Sequence, residues 1–201
     1  MHPYIAHLSK DRKLKKLIDE HGEIKLRRYK NIPLRLCASI MSQQLSVKVA
    51  QVIYKRFLNL YGKTEPTPQQ IFDTPNETLR SIGLSNSKVN YVKNVAQFAI
   101  EKGMNNKKLS KMSDEEVIEY LIPIKGVGRW TVEMLLIFTL GREDVFAIDD
   151  LGVQNGMIRY FGMKNENKNK FREDMLRKSQ KWSPYRSFVC LHLWGWKDRD
   201  S

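Results

Sequence analysis

Cysteine and histidine are scarce in this sequence. Only two cysteines occur, Cys37 and Cys190, and they lie far apart without a shared motif. They exclude a disulfide scaffold and a four-cysteine iron–sulfur site, and they are typical of a reducing compartment. The four histidines are scattered along the chain, so the sequence predicts no zinc site.

Long apolar runs are also missing. No uninterrupted apolar segment approaches the roughly 20 residues that a membrane span needs. The N-terminal residues MHPYIAHLSKDRKLKK lack the apolar stretch of a signal peptide. We therefore expect a soluble, intracellular protein with no membrane partner.

Acidic residues are outnumbered. The 201 residues include 35 lysines and arginines but only 22 aspartates and glutamates, which gives a net charge of +13. A polyanionic partner is the simplest explanation, and nucleic acid is the most common one. A protein that is merely basic would have the same composition, so the charge alone leaves both interpretations open.

Apolar residues recur at helical spacing in nearly every segment, and valine and isoleucine rarely alternate with polar residues. An apolar stripe runs from Pro33 to Tyr61, with a polar interruption at Ser42–Gln44. We expect Asn76 to cap a short helix, Ser87 to begin the next, and Ser113 to form a capping box with Glu116. Further helices are predicted at Arg129–Leu140, Asp150–Tyr160, Lys170–Lys178 and Pro184–Trp194. The predicted fold class is all-α.

The segment Leu121–Leu140, LIPIKGVGRWTVEMLLIFTL, predicts a hairpin of two helices. Pro123 ends the first helix, and Gly126 and Gly128 form a tight turn before Arg129 opens the second. A glycine turn that leads into a helix leaves several amides unpaired, with the helix dipole behind them, which suits a phosphate. A plain hairpin whose glycines serve geometry alone is the competing interpretation.

Two adjacent aspartates, Asp149 and Asp150, follow the apolar residues 145–148 and precede a predicted helix. An aspartate at this position commonly caps the helix. Two in a row allow one to cap and the other to remain free.

The hairpin segment resembles the helix-hairpin-helix motif of DNA glycosylases, with Lys125 where that superfamily often has proline. Gly128-Arg129-Trp130-Thr131 and the C-terminal segment WSPYRSFVCLHLWGW resemble the alkylation-repair branch, 3-methyladenine DNA glycosylase II. The resemblance spans Pro33 to Trp196. It implies a two-lobed, all-α glycosylase fold in which residues 1–201 form one unit, with the DNA cleft and base pocket between the lobes and the hairpin motif at about 114–140.

The resemblance also assigns roles to residues. Asp150 begins the pattern of aspartate, two variable residues and an aliphatic, so it is the expected catalyst and Asp149 the structural neighbour. A carboxylate of this kind stabilises the positive charge that develops on the sugar. Bifunctional members carry a Schiff-base lysine where this chain has Trp130. The expected lining of the base pocket is Trp130, Met134, Leu151 and Trp194, whereas His192 is expected to be buried and structural.

Contacts to DNA are implied at two places. The hairpin residues Gly126, Val127, Gly128, Arg129 and Thr131 are expected to bind the backbone. Gln44, with Gln43 beside it, falls where the superfamily inserts a side chain into the duplex to replace the flipped base. The carbonyls of Ile122, Ile124 and Val127 match positions that hold a monovalent cation in relatives.

These features together predict a monofunctional glycosylase that flips and hydrolyses alkylated purines from double-stranded DNA. It should need no cofactor, act as a monomer, and reside in the cytoplasm or nucleoid, or in the nucleus of a eukaryote. Two alternatives remain: a non-catalytic helix-hairpin-helix DNA-binding protein, and a bifunctional glycosylase/lyase with its lysine elsewhere. A basic helical protein that binds no DNA is the weakest interpretation.

Overall fold

The computed structural model describes the backbone of residues 2–199 and the side chains of residues 2–196. Within that part of the chain every regular element is helical, which confirms the prediction of an all-α protein. The chain divides into two compact units. The hairpin unit is Arg28–Leu140, and the split unit comprises the residues up to Arg27 together with those from Gly141 onward. Across the described residues, no helix combines the length and the apolar character needed to cross a membrane.

The α-helices of the described chain follow one another with short connections. In order they are α1 (Pro3–Leu8), α2 (Arg12–His21), α3 (Ile32–Ser42), α4 (Val47–Asn59), α5 (Pro68–Asp73), α6 (Asn76–Ser81), α7 (Asn86–Lys102), α8 (Asn106–Leu109), α9 (Asp114–Leu121), α10 (Arg129–Phe138), α11 (Leu151–Asn155), α12 (Lys168–Ser179) and α13 (Arg186–Arg199). A π-helical turn, Gly156–Tyr160, continues α11, and a 3₁₀ turn, Gln180–Trp182, follows α12.

The hairpin unit is built around α3, which packs against α4, α7 and α10. Most side chains of α3 are buried, and so are the side chains of α10 from residue 131 to residue 137. A helix that is apolar on nearly every side belongs in the core of its unit, because no face of it is suited to water. The second helix of the hairpin, α10, is therefore part of the buried core of this unit.

Side-chain caps fix most of the helix starts. The capping box between Ser113 and Glu116 is confirmed at the start of α9. Two other expectations were wrong by one or two residues. Asn76 is the first residue of α6 rather than its cap, and α7 is capped by Ser85 and already includes Ser87. Serine and asparagine recur near these boundaries, so a local pattern does not decide which one reaches the amide.

The polar break predicted at Ser42–Gln44 is confirmed, because α3 ends at Ser42 and α4 begins at Val47. The apolar stripe beyond the break is not all core. Ile53 and Phe57 are buried, whereas Val49 and Val52 are 46% and 44% exposed. Periodicity gives the direction of an apolar face but not whether a neighbour covers it.

The split unit joins two distant parts of the sequence. Here α13 packs against α2 and α11, and α1 packs against α2. Tyr4 of α1 stacks on Phe188 of α13 with ring centroids 4.0 Å apart. The basic N-terminal segment is helical only as far as His21 and then runs without regular structure to Asn31.

Candidate functional site

The hairpin turn is as the sequence predicts. Helix α9 ends before Pro123, and α10 begins at Arg129. Gly126 has a φ of +100°, and a Cβ there would lie 2.2 Å from the ring of Tyr91 on α7. Asn94, one turn further along α7, donates to the Lys125 carbonyl at 3.2 Å. The turn is therefore seated on α7, and only glycine fits at position 126.

The start of α10 has no side-chain cap within the described chain. Its N-cap is Gly128, where a Cβ would meet nothing within 4 Å. The first amides of a helix need acceptors from outside the helix, and the dipole favours an anion there. An external acceptor such as a phosphate oxygen fits this open, uncapped helix start.

Arg129 is held by the protein itself. Its two terminal nitrogens donate to both carboxylate oxygens of Glu115 at 2.8 and 2.7 Å, and Nε donates to Glu133 at 3.1 Å. Hydrogen bonds from Arg129 lower the pKa of Glu115, and the same contacts raise the pKa of Arg129. A bidentate pair of this kind ties α9 to α10. The expected DNA contact of Arg129 stays a prediction, and its guanidinium has a structural role as well.

The two glutamines between α3 and α4 differ in how they are held. Gln43 donates from Nε2 to the buried Thr131 hydroxyl at 3.3 Å, which links the turn to α10. Gln44 is exposed and adopts a φ of +58°. A non-glycine residue in the left-handed region costs roughly 1–2 kcal/mol. Of the two glutamines, Gln44 is therefore the one that is exposed to solvent.

Two of the predicted pocket residues lie on α10. Trp130 is 38% exposed, and Met134, which is 9% exposed, lines a cavity of about 290 Å³. Tyr29 and Arg35 line the same cavity, and the guanidinium of Arg35 lies 4.0 Å from the centroid of the Tyr29 ring. No sequence pattern points to Tyr29 or Arg35, because both lie far from the hairpin in sequence.

The remaining predicted site residues lie in the split unit, where Asp150 caps α11. Its Oδ1 accepts from the Val153 amide at 2.8 Å and from the indole N–H of Trp194 at 2.7 Å. Gly152 permits this approach, because a Cβ there would lie 2.7 Å from Trp194 and 3.0 Å from Asp150 Oδ1. Leu151, the fourth predicted pocket residue, is 73% exposed. The carboxylate is thus oriented by two donors at the start of a helix.

One expectation about the two aspartates was wrong. Asp149 was expected to be the capping residue, but the cap is Asp150, and Asp149 pairs with Arg172 of α12. The sequence alone does not decide whether Asp149 or Asp150 accepts from the first amides of α11. The distant Arg172 attracts one carboxylate and leaves the other for the helix start. The catalytic assignment of Asp150 is a separate matter and stays a prediction.

The C-terminal signature supports the segment that precedes Asp150. Arg186 donates from Nε and Nη2 to Asp144 at 2.8 and 2.9 Å, and Ser183 donates to the same carboxylate at 2.7 Å. Although partial burial opposes it, these hydrogen bonds lower the pKa of Asp144. Ser187 donates to the Arg142 carbonyl and accepts from the Val145 amide. Much of this signature is therefore a clamp on residues 142–145.

His192 is buried, as predicted, and lies against a second histidine. Its Nδ1 is 3.2 Å from Nδ1 of His21, and the rings stack with centroids 5.3 Å apart. Neither Nε2 atom has a hydrogen-bond partner in the part of the chain that the structure describes. Burial lowers the pKa of His192 to about 4. This pair of histidines joins α2 to α13, the helix that carries Trp194.

Metal-binding side chains do not cluster in the described chain: no group of three or more histidine, cysteine or acidic residues is placed to hold a metal ion. Backbone carbonyls are the other kind of donor. The Ile124 carbonyl accepts from the Val127 amide at 2.9 Å, and Ile122 is the C-cap residue that follows α9 and is 44% exposed. Carbonyl oxygens each have two lone pairs and suit hard cations, so this donor set fits a monovalent cation.

Comparisons with known proteins agree on one family. Residues 37–182 match the model of the "HhH-GPD superfamily base excision DNA repair protein". The chain is 38% identical to DNA-3-methyladenine glycosylase 1 of Schizosaccharomyces pombe over 161 residues, which cover 79% of this chain and 69% of that protein.

Two solved structures are also similar. A 3-methyladenine DNA glycosylase of S. pombe in complex with abasic DNA has a TM-score of 0.84 and 33% identity, covering 96% of this chain and 95% of that one. A DNA-3-methyladenine glycosidase of Bacillus halodurans has a TM-score of 0.82 and 32% identity, covering 96% and 88%.

Proposed function

Since this chain belongs to the HhH-GPD superfamily of base excision DNA repair proteins, we propose that it is a monofunctional DNA glycosylase that excises alkylated purines from duplex DNA. Its relatives are named as 3-methyladenine glycosylases, and one of them is seen with abasic DNA. The observation that carries the proposal is the oriented carboxylate of Asp150, in the position where the family resemblance places the catalyst.

The chemistry needs one carboxylate. Breaking the bond between C1′ and the base nitrogen leaves positive charge on the sugar, and a fixed negative charge beside it stabilises the transition state. The Val153 amide and the Trp194 indole both donate to Oδ1, so the carboxylate does not have to reorient during the reaction. The same group can orient the water that completes hydrolysis. No cofactor is required for this step.

The leaving group accounts for the preference for alkylated purines. A purine alkylated at N3 or N7 is cationic, so it departs without a general acid. We propose that Trp130 and Trp194 stack on it, because an indole face attracts a cation by roughly 1–2 kcal/mol in a desolvated site. Met134 and Leu151 would complete the lining with apolar surface.

Binding to the duplex would use the open start of α10. The amides after Gly128 would donate to a phosphate oxygen, with Gly126, Val127 and Thr131 shaping the hairpin around it. The carbonyls of Ile122, Ile124 and Val127 would hold a monovalent cation, which would add positive charge near the phosphate. Gln44 would enter the duplex as the base leaves it. A net charge of +13 favours a polyanion in general. We expect the protein to act as a monomer wherever the genomic DNA resides.

A release assay on methylated duplex DNA tests this function. We expect free 3-methyladenine or 7-methylguanine in solution, and abasic sites that stay uncut until alkali is added. Strand cleavage without alkali would instead indicate a glycosylase/lyase. Binding without any release of base would indicate a non-catalytic DNA-binding protein.

A further inference from the structure

The backbone of the turn between α3 and α4 has an unusual conformation at Gln44. Gln44 is in the left-handed region, which residues with a side chain rarely adopt. Two local contacts support the turn: the Gln43 amide donates to the Ile40 carbonyl at 3.3 Å, and the Leu45 amide donates to the Ser42 carbonyl at 3.2 Å. These distances are at the long end of the range for hydrogen bonds. From outside the turn, the Gln43 side chain donates to Thr131 of α10 at 3.3 Å.

Lys88 of α7 supplies a second contact from outside the turn. Its Nζ donates to the Met41 carbonyl at 2.9 Å and to the Gln43 carbonyl at 2.7 Å. The carbonyls at the end of a helix have no intrahelical donor, and a cation is favourable there. Lys88 therefore closes the end of α3 and bonds to the residue immediately before Gln44.

The anchor of this contact is itself rigid. Lys88 lies in the first turn of α7, where its amide donates to the capping Ser85 hydroxyl at 3.3 Å. Helix α7 packs directly on α3. The side chain is half-buried, and burial lowers the pKa of Lys88 below its ordinary value. A partly desolvated ammonium gains more from its carbonyl partners than one in water.

We propose that Lys88 is a positioning residue that holds the 43–46 turn in the conformation that presents Gln44 to the duplex. The inference rests on the proposed function, because Gln44 needs a fixed position only if it replaces a base in the stack. Lys88 does not touch the reacting atoms in this account. It affects the step in which the base leaves the helix.

The test compares one lesion in two duplexes. In the first the lesion is opposite its normal partner, and in the second it is opposite an abasic-site analogue, so that it is already unpaired and costs less to extrude. Under single-turnover conditions, Lys88→Met should slow excision from the paired duplex roughly tenfold and from the unpaired duplex less than twofold. Equal slowing in both duplexes would overturn the proposal, since a general loss of structure affects both alike.

The same helix offers a matched control. Lys93 also donates to a backbone carbonyl, that of Phe72, at 2.7 Å, but far from the turn in sequence. Lys93→Met should leave the ratio of the two rates unchanged. If Lys88→Met does not fold, Lys88→Gln, which keeps an NH2 donor group but loses the charge, should show the same selective loss to a smaller degree. In a Gln44→Ala background, Lys88→Met should have no further effect on the ratio, and an additive loss would contradict the proposal.

Fluorescence of 2-aminopurine at the target position separates this inference from the proposed function. The wild-type protein should raise the fluorescence on binding, because the base unstacks, and Lys88→Met should reduce the rise. A Lys88-dependent rise without release of any base would contradict the glycosylase function and support the positioning role. Base release with the same rise in both proteins would support the function and overturn the positioning role.

Discussion

The starts of α10 and α11 differ in what accepts hydrogen bonds from their first backbone amides. At the start of α11, the Val153 amide donates to a carboxylate from within the chain, that of Asp150. The first amides of α10 follow Gly128 and have no side-chain cap in the described chain. A capped start holds a reactive group in place, whereas an uncapped start is ready for an acceptor from outside. We infer that the reaction takes place beside the capped start of α11 and that DNA binds at the uncapped start of α10.

The difference extends to the supports of each helix start. Arg129 pairs with Glu115 across the hairpin and with Glu133 of its own helix, so the start of α10 is tied to α9. Trp194 donates to Asp150, and its helix is joined to α2 by the pair of His21 and His192. The helix that supports Asp150 therefore contains a buried histidine, His192, whose pKa is lowered.

Lowering the pH should destabilise the folded protein, because His192 is buried in it. Between pH 6.5 and about 4 the unfolded chain protonates His192 while the folded protein does not, so the free energy of unfolding falls as the pH falls through this range. The loss should amount to about 3 kcal/mol and should be absent above pH 6.5. Denaturant titrations at several pH values measure it. His192→Asn, which does not titrate, should show a shallower slope, and an unchanged slope would contradict the assignment.

Closing the gap beside Asp150 should reduce catalysis without affecting the hairpin. In Gly152→Ala the new methyl group would lie 2.7 Å from Trp194, so the indole must move and its bond to Asp150 is lost. We expect single-turnover excision to fall roughly tenfold or more, the usual value of a hydrogen bond to a charged group. Gly156→Ala is the control, because its methyl group would meet Leu193 of the same helix at 2.8 Å. It should lower stability to a similar degree and excision less.

Making α10 resemble α11 should weaken binding. Gly128→Asp would supply the missing cap, and the position has room for a side chain. The carboxylate would occupy and repel the phosphate, so the affinity for duplex DNA should fall about tenfold, equally for damaged and undamaged DNA. Thermal stability should stay equal or rise slightly, because a cap is better than glycine by a few tenths of a kcal/mol. Gly128→Ala fills the same space without charge and should bind nearly as wild type, as judged by fluorescence anisotropy.

The smallest effect is expected at Asp149. Its ion pair with Arg172 has both side chains 44% exposed, and such pairs contribute less than about 1 kcal/mol. Asp149→Asn should leave excision nearly unchanged and lower the melting temperature slightly. An inactive Asp149→Asn variant would show that the catalyst is Asp149 and that the assignment of Asp150 is wrong.

Sequence patterns predicted the parts of this site that depend on neighbours along the chain. Two glycines and a following apolar stretch located the hairpin, since the backbone there has few alternatives. The partner of each aspartate could not be predicted, because Arg172 and Trp194 lie 23 and 44 residues away. The contact of Lys88 with the Gln43 carbonyl spans 45 residues and involves a backbone atom, for which no side-chain pattern exists.

The most direct test of this division of labour is Asp150→Asn, with binding and excision measured on the same methylated duplex. Asparagine can still accept the Val153 and Trp194 hydrogen bonds and cap α11, so it removes the charge and keeps the geometry. We predict unchanged affinity and a loss of excision of at least 100-fold, the size of effect seen when transition-state charge loses its electrostatic partner. Excision within a few-fold of the wild-type rate, in a folded protein that binds normally, would show that Asp150 only caps its helix.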